Sequence, residues 1–229
     1  METRSIALDG PSGAGKSTLA RMAAKKFGLI YVDTGAMYRC VGLYVMRKNV
    51  AAKDEAGVSS LLPEINVEME YDAAGVQRML LNGEDVTEAI RFPEVSGYAS
   101  DVSAMPPVRG FLLNMQQEMA VKYDVIMDGR DIGTVVLPEA GLKVFLTAEP
   151  ETRAERRYLE LSEKGVKTTF EEVLRDMAIR DKNDSERAAA PLKPAEGSVL
   201  LDTTDLSLEQ SVDALCRLIH ERFFSNETE

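Results

Sequence analysis

The chain has 229 residues, 45% hydrophobic and 28% charged, with 16 glycines and 9 prolines. That composition is ordinary for a globular protein and excludes collagen-like, low-complexity and wholly disordered chains. Lys and Arg number 27 against 38 Asp and Glu, a formal charge of −11, which excludes a broad basic face for nucleic acid but not a local arginine pocket for a small anion.

A chain of this length suits one large domain or two small ones and can bury about 70% of its unfolded surface without disulfide staples. Cys40 and Cys216 stand far apart in apolar helical patterns and read as buried free thiols, which fits a reducing cytoplasm. The single histidine, His220, sits in a C-terminal amphipathic stretch and reads as a bystander, so histidine triads and multi-histidine metal sites are excluded. No basic leader with a long apolar run opens the chain, and no apolar run approaches the roughly 20 residues of a membrane span. The expectation is a cytoplasmic protein with neither a membrane nor a nucleic-acid partner.

Short apolar strands alternate with longer helical patterns. Ser5–Asp9 reads as a first strand, followed by a glycine-rich turn and a helix from about Lys16 to Phe27. Leu29–Asp33 reads as a second strand, with a helix through about Met46. The next stretch, roughly 63 to 97, alternates apolar and polar residues at Ile65–Tyr71 and Val76–Leu81, with Asp72–Gly75 between them. Asn82-Gly83 then signals a turn before Glu84–Thr87, so a small antiparallel sheet is expected here. Asp124–Asp128, Leu142–Thr147 and Ser198–Asp202 read as three more strands of a parallel sheet covered on both faces. Thr169-Phe-Glu-Glu172 and Ser207-Leu-Glu-Gln210 fit capping boxes, opening helices to about Lys182 and Phe224, and Ser225–Glu229 reads as a frayed tail.

Gly10-Pro-Ser-Gly-Ala-Gly-Lys-Ser17 fits the G-x-x-x-x-G-K-[ST] phosphate loop at every fixed position, between a strand and a helix. Gly10, Pro11, Ser12, Gly13, Ala14, Gly15, Lys16, Ser17 and Thr18 are therefore the expected ATP-binding residues. Backbone N–H groups curl around the phosphates, Lys16 reaches the β- and γ-phosphates, and the Ser17 hydroxyl is placed to ligate Mg²⁺. No Asn-Lys pair occurs, so the guanine reader of a GTPase is missing. A kinase for an anionic acceptor needs arginines to offset the repulsion between two phosphate groups. Arg39 and Arg130 follow strands at their carboxyl ends, where ligand sites of parallel sheets lie. Arg153, Arg156 and Arg157 share one helix face, and Arg180 and Arg187 bracket Asp181 and Asp184.

The blocks Asp9–Thr18, Asp33-Thr-Gly-Ala-Met-Tyr-Arg39, Asp128–Pro138, Arg153–Arg157 and Arg180–Arg187 together resemble the bacterial cytidylate kinases of the nucleoside monophosphate kinase family, almost end to end. The resemblance implies a single P-loop kinase domain over 1–229, α/β with a five-stranded parallel sheet. It also implies an antiparallel monophosphate-binding insert at about 63–97 and a short lid at about 154–168. ATP would phosphorylate CMP and dCMP with Mg²⁺, in a monomer. Arg39, Arg130 and Arg187 would hold the monophosphate and the transferring group. Ser100, Arg109 and Asp131 would surround cytosine, and Arg180 and Asp184 would reach the ribose. Asp33 and Thr34 would belong to the same acceptor site, and Arg153 and Arg156 to a lid over ATP. Lys16, Arg39, Arg130, Arg156 and Arg187 would be the catalytic set. Cytosine independently wants a carboxylate at its N4 amino group and a guanidinium at N3 and O2. Ser17 stands where some relatives carry Gly and Thr34 where others carry Ser, and the lid has no zinc-binding cysteines. Asp33 and Asp128 can each organise Mg²⁺ waters or orient arginines, and the sequence leaves both roles open. UMP, AMP or shikimate as acceptor, or a nucleotide-gated binding module, are the rival readings.

Overall fold

An uninterrupted apolar run, Ile6-Ala-Leu8, buried throughout, makes β1 (Ser5–Asp9) the central strand of the main sheet. The chain continues through α1 (Lys16–Phe27), β2 (Ile30–Asp33), α2 (Thr34–Arg47), α3 (Glu55–Leu61), β3 (Val67–Tyr71), β4 (Gln77–Leu81) and β5 (Glu84–Asp85). Next come α4 (Pro93–Val102), α5 (Pro106–Lys122), β6 (Val125–Gly129), β7 (Leu142–Thr147), α6 (Pro150–Glu163), α7 (Phe170–Glu186), β8 (Val199–Asp202) and α8 (Leu208–Phe223). This computed structural model describes residues 3–72 and 76–225, so the connection expected around 73–75 and the tail at 226–229 lie outside the described residues.

The main sheet has five strands in the order β2-β6-β1-β7-β8, and it is parallel, as the continuous apolar runs predict. The chain divides into two compact units, Met1–Tyr31 with Met119–Glu229, and Val32–Glu118.

In the first unit α1 contributes Leu19, Ala20, Ala23 and Ala24 to the core beside Ile6 and Leu8. Helix α8 contributes Val212, Leu215, Cys216 and Ile219, an i, i+3, i+4, i+7 stripe. Both expected capping boxes are present, at Thr169–Glu172 and Ser207–Gln210. Helix α7 runs to Glu186, four residues beyond the expected end at Lys182, because Asp184 is buried and paired rather than solvated. A small separate core of Ala154, Val173 and Met177, flanked by Tyr158, Leu161, Phe170 and Leu174, joins α6 to α7.

In the second unit β3, β4 and β5 form the expected antiparallel sheet. Asn82 and Gly83 both have positive φ, 52° and 82°, the backbone of a two-residue hairpin turn whose twist matches the strands. Helices α2 and α4 approach closely at Gly42, where a Cβ would lie 2.8 Å from the Ala99 amide nitrogen. Any larger residue would force the two helices apart.

Candidate active site

The loop after β1 is shaped for an anion. Gly10 has φ 151°, and a Cβ there would lie 2.0 Å from the Leu146 carbonyl oxygen, so only glycine lets β1 turn beside β7. Gly15 sits in the left-handed region at the start of α1, and no side chain among the described residues caps that helix. The Thr18 amide closes onto the Gly15 carbonyl at 3.1 Å, and the start of the helix, with its partial positive charge, is the part of the loop suited to a phosphate.

Lys16 is 6% exposed, and its Nζ donates to the Pro11 carbonyl at 2.7 Å. Burial holds its ammonium well below the ordinary lysine range. Arg130 and Arg180 press the same way, against the opposing pull of Asp128 and Asp184. A lysine destabilised by its own neighbouring arginines marks a place short of negative charge.

Carboxylates hold Arg130 and Arg187 in place. Arg130 Nε donates to Asp184 Oδ2 at 2.8 Å, and Arg187 Nη2 donates to Asp131 Oδ1 at 3.4 Å. Burial opposes the ionisation of Asp184, but Arg130, Arg180 and Arg187 outweigh it and hold the carboxyl below its ordinary value. Arg187 Nε also donates to the Ala190 carbonyl at 2.7 Å.

Asp128 ends the apolar run of β6, buried at 4% exposure. Its Oδ2 accepts from the Ser17 hydroxyl at 2.7 Å and its Oδ1 from Tyr31 at 3.1 Å. Asp9 lies beside it across the ladder, in register with Gly129. Its two oxygens accept the backbone N–H groups of Ile132 (2.8 Å) and Gly133 (2.7 Å), at the start of a short π-helical turn, Ile132–Val136. Burial pushes the Asp9 carboxyl up to about 6. The two backbone bonds resist that rise, as does Lys16, while the charge of Asp131 adds to it.

That shift has a consequence for stability. Asp9 takes up a proton more readily folded (about 6) than at its ordinary value of 3.8. Its contribution is therefore complete below about pH 3.8 and is lost as the pH rises through about 6. In urea denaturation, the stability of wild type relative to Asp9→Asn should improve by on the order of 3 kcal/mol between pH 7 and pH 4. A difference that stays flat over that range would refute the buried, ionisable Asp9.

The three arginines of α6 share a face in sequence and separate in space. Arg153 is buried, its Nε donating to the Ala148 carbonyl and its Nη1 to the Ser12 carbonyl (2.9 Å each) and to Asp181. Asp181 in turn accepts from the Ser12 amide at 3.3 Å, so α6 and α7 both grip the phosphate loop. Arg156 donates to the carbonyl and hydroxyl of Thr203, at 2.7 and 3.1 Å. Arg157 pairs with Glu160 at the surface.

The second unit holds the remaining expected residues. Asp33 caps α2 by accepting from the Ala36 amide at 2.9 Å, and it pairs with Arg91 at 3.2 Å. Thr34 and Arg39 follow on that helix, Thr34 buried and Arg39 half-buried. Ser100 on α4 and Arg109 on α5 are brought together through Ser103. The Ser103 hydroxyl donates to the Ser100 carbonyl at 2.9 Å, and Arg109 Nη1 donates to the Ser103 carbonyl at 3.0 Å. The Arg109 guanidinium also lies 5.7 Å from the centre of the Tyr38 ring. The neighbourhood of Cys40 contains Asp33, Arg39 and Arg91, and burial pushes that thiol up to about 12, so it is inert.

With this geometry in view, comparison with known proteins is decisive. The sequence profile of the cytidylate kinase family matches residues 6–221. The chain belongs to the cytidylate kinase family. It is 47% identical over 221 residues to a cytidylate kinase of Caldicellulosiruptor saccharolyticus, covering 96% of this chain and 97% of that protein. It is 48% identical over 221 residues to one of Caldicellulosiruptor bescii, with the same coverage. Among solved structures, a shikimate kinase from Bacteroides thetaiotaomicron gives a TM-score of 0.46 at 16% identity, covering 95% of this chain and 98% of that one.

The family reading brings Mg²⁺ with it, and the residues present fit such an ion. Ser17 and Asp128 offer hard oxygen donors 2.7 Å apart beside the phosphate loop, the chemistry Mg²⁺ selects. Among the described residues no group of three or more Asp, Glu, His or Cys side chains gathers as a metal cage. Asp128 faces Ser17, whereas Asp33 caps α2 and orients Arg91.

The contacts of four residues escape a reading of the sequence: Asp9, Tyr31, Arg91 and Asp181. Each acts on a partner distant in the chain, so even where a motif contains the residue, as with Asp9, it does not announce the partner.

Proposed function

We propose that this chain transfers the γ-phosphoryl group of ATP to CMP and dCMP, releasing ADP and the corresponding diphosphate. The observation that carries the reading is the phosphate loop itself, with Lys16 buried in it and bonded to the Pro11 carbonyl and Ser17 bonded to Asp128, while burial first, and then the half-buried Arg130 and Arg180, hold that lysine below its ordinary range. In a chain of this family, ATP and a nucleoside monophosphate supply the anions.

The chemistry needs little from the protein beyond position and charge. A CMP phosphate oxygen, already dianionic near neutral pH, attacks the γ-phosphorus while the bond to the β,γ-bridging oxygen breaks. No general base is needed. Lys16 and the backbone N–H groups of the Gly10–Thr18 loop, Pro11 excepted, offset charge on the donor phosphates. Arg39, Arg130 and Arg187 hold the acceptor phosphate and the transferring group. Mg²⁺, held by Ser17 with Asp128 beside it, would neutralise phosphate charge when bound.

For the base, Ser100, Arg109 and Asp131 are the proposed readers, with Arg180 and Asp184 toward the ribose and Asp33 and Thr34 near the acceptor. Arg153 and Arg156, with the segment at about 154–168, are proposed to act at the ATP end. The Arg153 bond to the Ser12 carbonyl supports that assignment. Two free, buried thiols support a cytoplasmic setting, and a monomer follows the family resemblance. Among the described residues no helix is long and apolar enough to cross a membrane.

An acceptor panel of CMP, dCMP, UMP, AMP and shikimate, read by ADP release with ATP and Mg²⁺, tests the reading. CMP and dCMP should stimulate ADP release most. Tight nucleotide binding with no stimulation by any acceptor would replace the kinase by a nucleotide-gated binding module.

A further inference from the structure

Asp9 stands outside every role given so far, yet it is 3% exposed and carries the two shortest side-chain bonds to the turn after β6. Its backbone leads straight into Gly10 and the phosphate loop. Its side chain reaches across the β1–β6 ladder, past its register partner Gly129, to the amides of Ile132 and Gly133. Those amides immediately follow Arg130 and Asp131, and they open a π-helical turn. A carboxylate accepting two backbone N–H groups at a helix start fixes both the direction and the phase of that turn.

We propose that Asp9 is a positioning residue for phosphoryl transfer, fixing the acceptor-side turn that carries Arg130 and Asp131 against the donor-side phosphate loop. The inference rests on the acceptor role of Arg130 and Asp131 proposed above. One residue then belongs to both halves of the reaction: its main chain begins the ATP loop and its carboxylate anchors the acceptor turn. Near-attack geometry is sensitive to small displacements, so such an anchor governs how well the bound acceptor meets the γ-phosphate. The charged groups around the Asp9 carboxylate are Asp131 and Lys16. Its burial and its two bonds are costly to assemble, which a simple strand end would not require.

Asp9→Asn keeps the shape but turns one acceptor into an NH₂ donor facing an amide donor, so one anchor bond is lost and the turn loosens. Gly133→Ala loosens the same contact from the other side. Its Cβ would meet Ala195 Cβ at 3.1 Å and Asp9 Oδ2 at 3.4 Å. In Asp9→Asn the KM for CMP should rise about tenfold and kcat should fall, while the Kd for ATP alone stays within about twofold. Gly133→Ala should move the same constants in the same direction by a smaller factor, and it carries the test should Asp9→Asn not fold. Amide exchange at Ile132 and Gly133 should accelerate in both variants, a readout that a general loss of stability would spread over the whole sheet. Arg130→Ala is measured alongside. If it raises the KM for CMP and the two anchor variants leave it within about twofold of wild type, the positioning role of Asp9 is overturned. If Arg130→Ala leaves that KM unchanged, the acceptor assignment fails and the inference falls with it.

Discussion

Lys16→Met is expected to cut kcat by about a thousandfold or more while the protein stays folded. The ammonium is fixed within the phosphate loop, buried and bonded to the Pro11 carbonyl at 2.7 Å. It therefore needs little reorganisation to meet charge developing on the β,γ-bridging oxygen, and that preorganisation is what methionine lacks. The same burial makes the thermal stability informative. Desolvation and the nearby Arg130 already disfavour the charged lysine, so an apolar side chain of similar length removes a standing penalty. Against that, the Pro11 carbonyl loses its donor, at a cost of about 1 kcal/mol. The melting temperature of Lys16→Met should equal or exceed that of wild type. A folded variant with near-normal turnover would remove Lys16 from the chemistry and the phosphate-loop assignment with it.

Asp9 and Lys16 share a pattern. Both are buried ionisable groups whose charged forms burial disfavours, Lys16 within the phosphate loop and Asp9 immediately before it. Stability is given up at both positions, the usual relation between a functional site and its scaffold.

How much of this is legible in the sequence depends on how local the cause is. The phosphate loop is legible because its chemistry rests on glycine torsions and successive amides within eight residues. The five strands are legible because parallel strands covered on both faces read as continuous apolar runs such as Ile6–Leu8. The antiparallel strands are legible from alternation and from Asn82-Gly83, whose positive φ values are what that turn demands. The bonds that organise the site are not local. Asp9 reaches Ile132 across 123 residues, Tyr31 reaches Asp128 across 97, and Asp181 reaches Ser12 across 169. They exist because the strand order puts β6 and β7 on either side of β1, and periodicity carries no information about strand order. The α6 arginines make the same point within one helix. Spacing puts Arg153, Arg156 and Arg157 on one face, but depth in the fold decides that the first grips the loop and the last pairs at the surface.

Asp131→Asn is expected to lower kcat/KM for CMP and to narrow its lead over UMP by about ten- to a hundredfold. Asp131 is 5% exposed and accepts from Arg187 at 3.4 Å, an acceptor-only group held where it cannot rotate freely. Cytosine presents an N4 amino donor where uracil presents the O4 acceptor. An ionised carboxylate pairs with the first and leaves two acceptors facing each other with the second. Such a mismatch costs roughly 1–3 kcal/mol, the source of the expected factor. Asparagine keeps an oxygen for Arg187, which is also tied to the Ala190 carbonyl, so the buried arginine is not stranded and the variant should fold. Its amide can present either a donor or an acceptor to the base, so UMP gains what CMP loses. Arg109, donating toward N3 and O2, would continue to reject the protonated N3 of uracil, which keeps the preference from vanishing. The measurement is the ratio of kcat/KM for CMP to that for UMP, in wild type and variant, at fixed ATP and Mg²⁺. An unchanged ratio would mean that Asp131 serves Arg187 alone, and the reading of cytosine would then have to rest on Ser100 and Arg109.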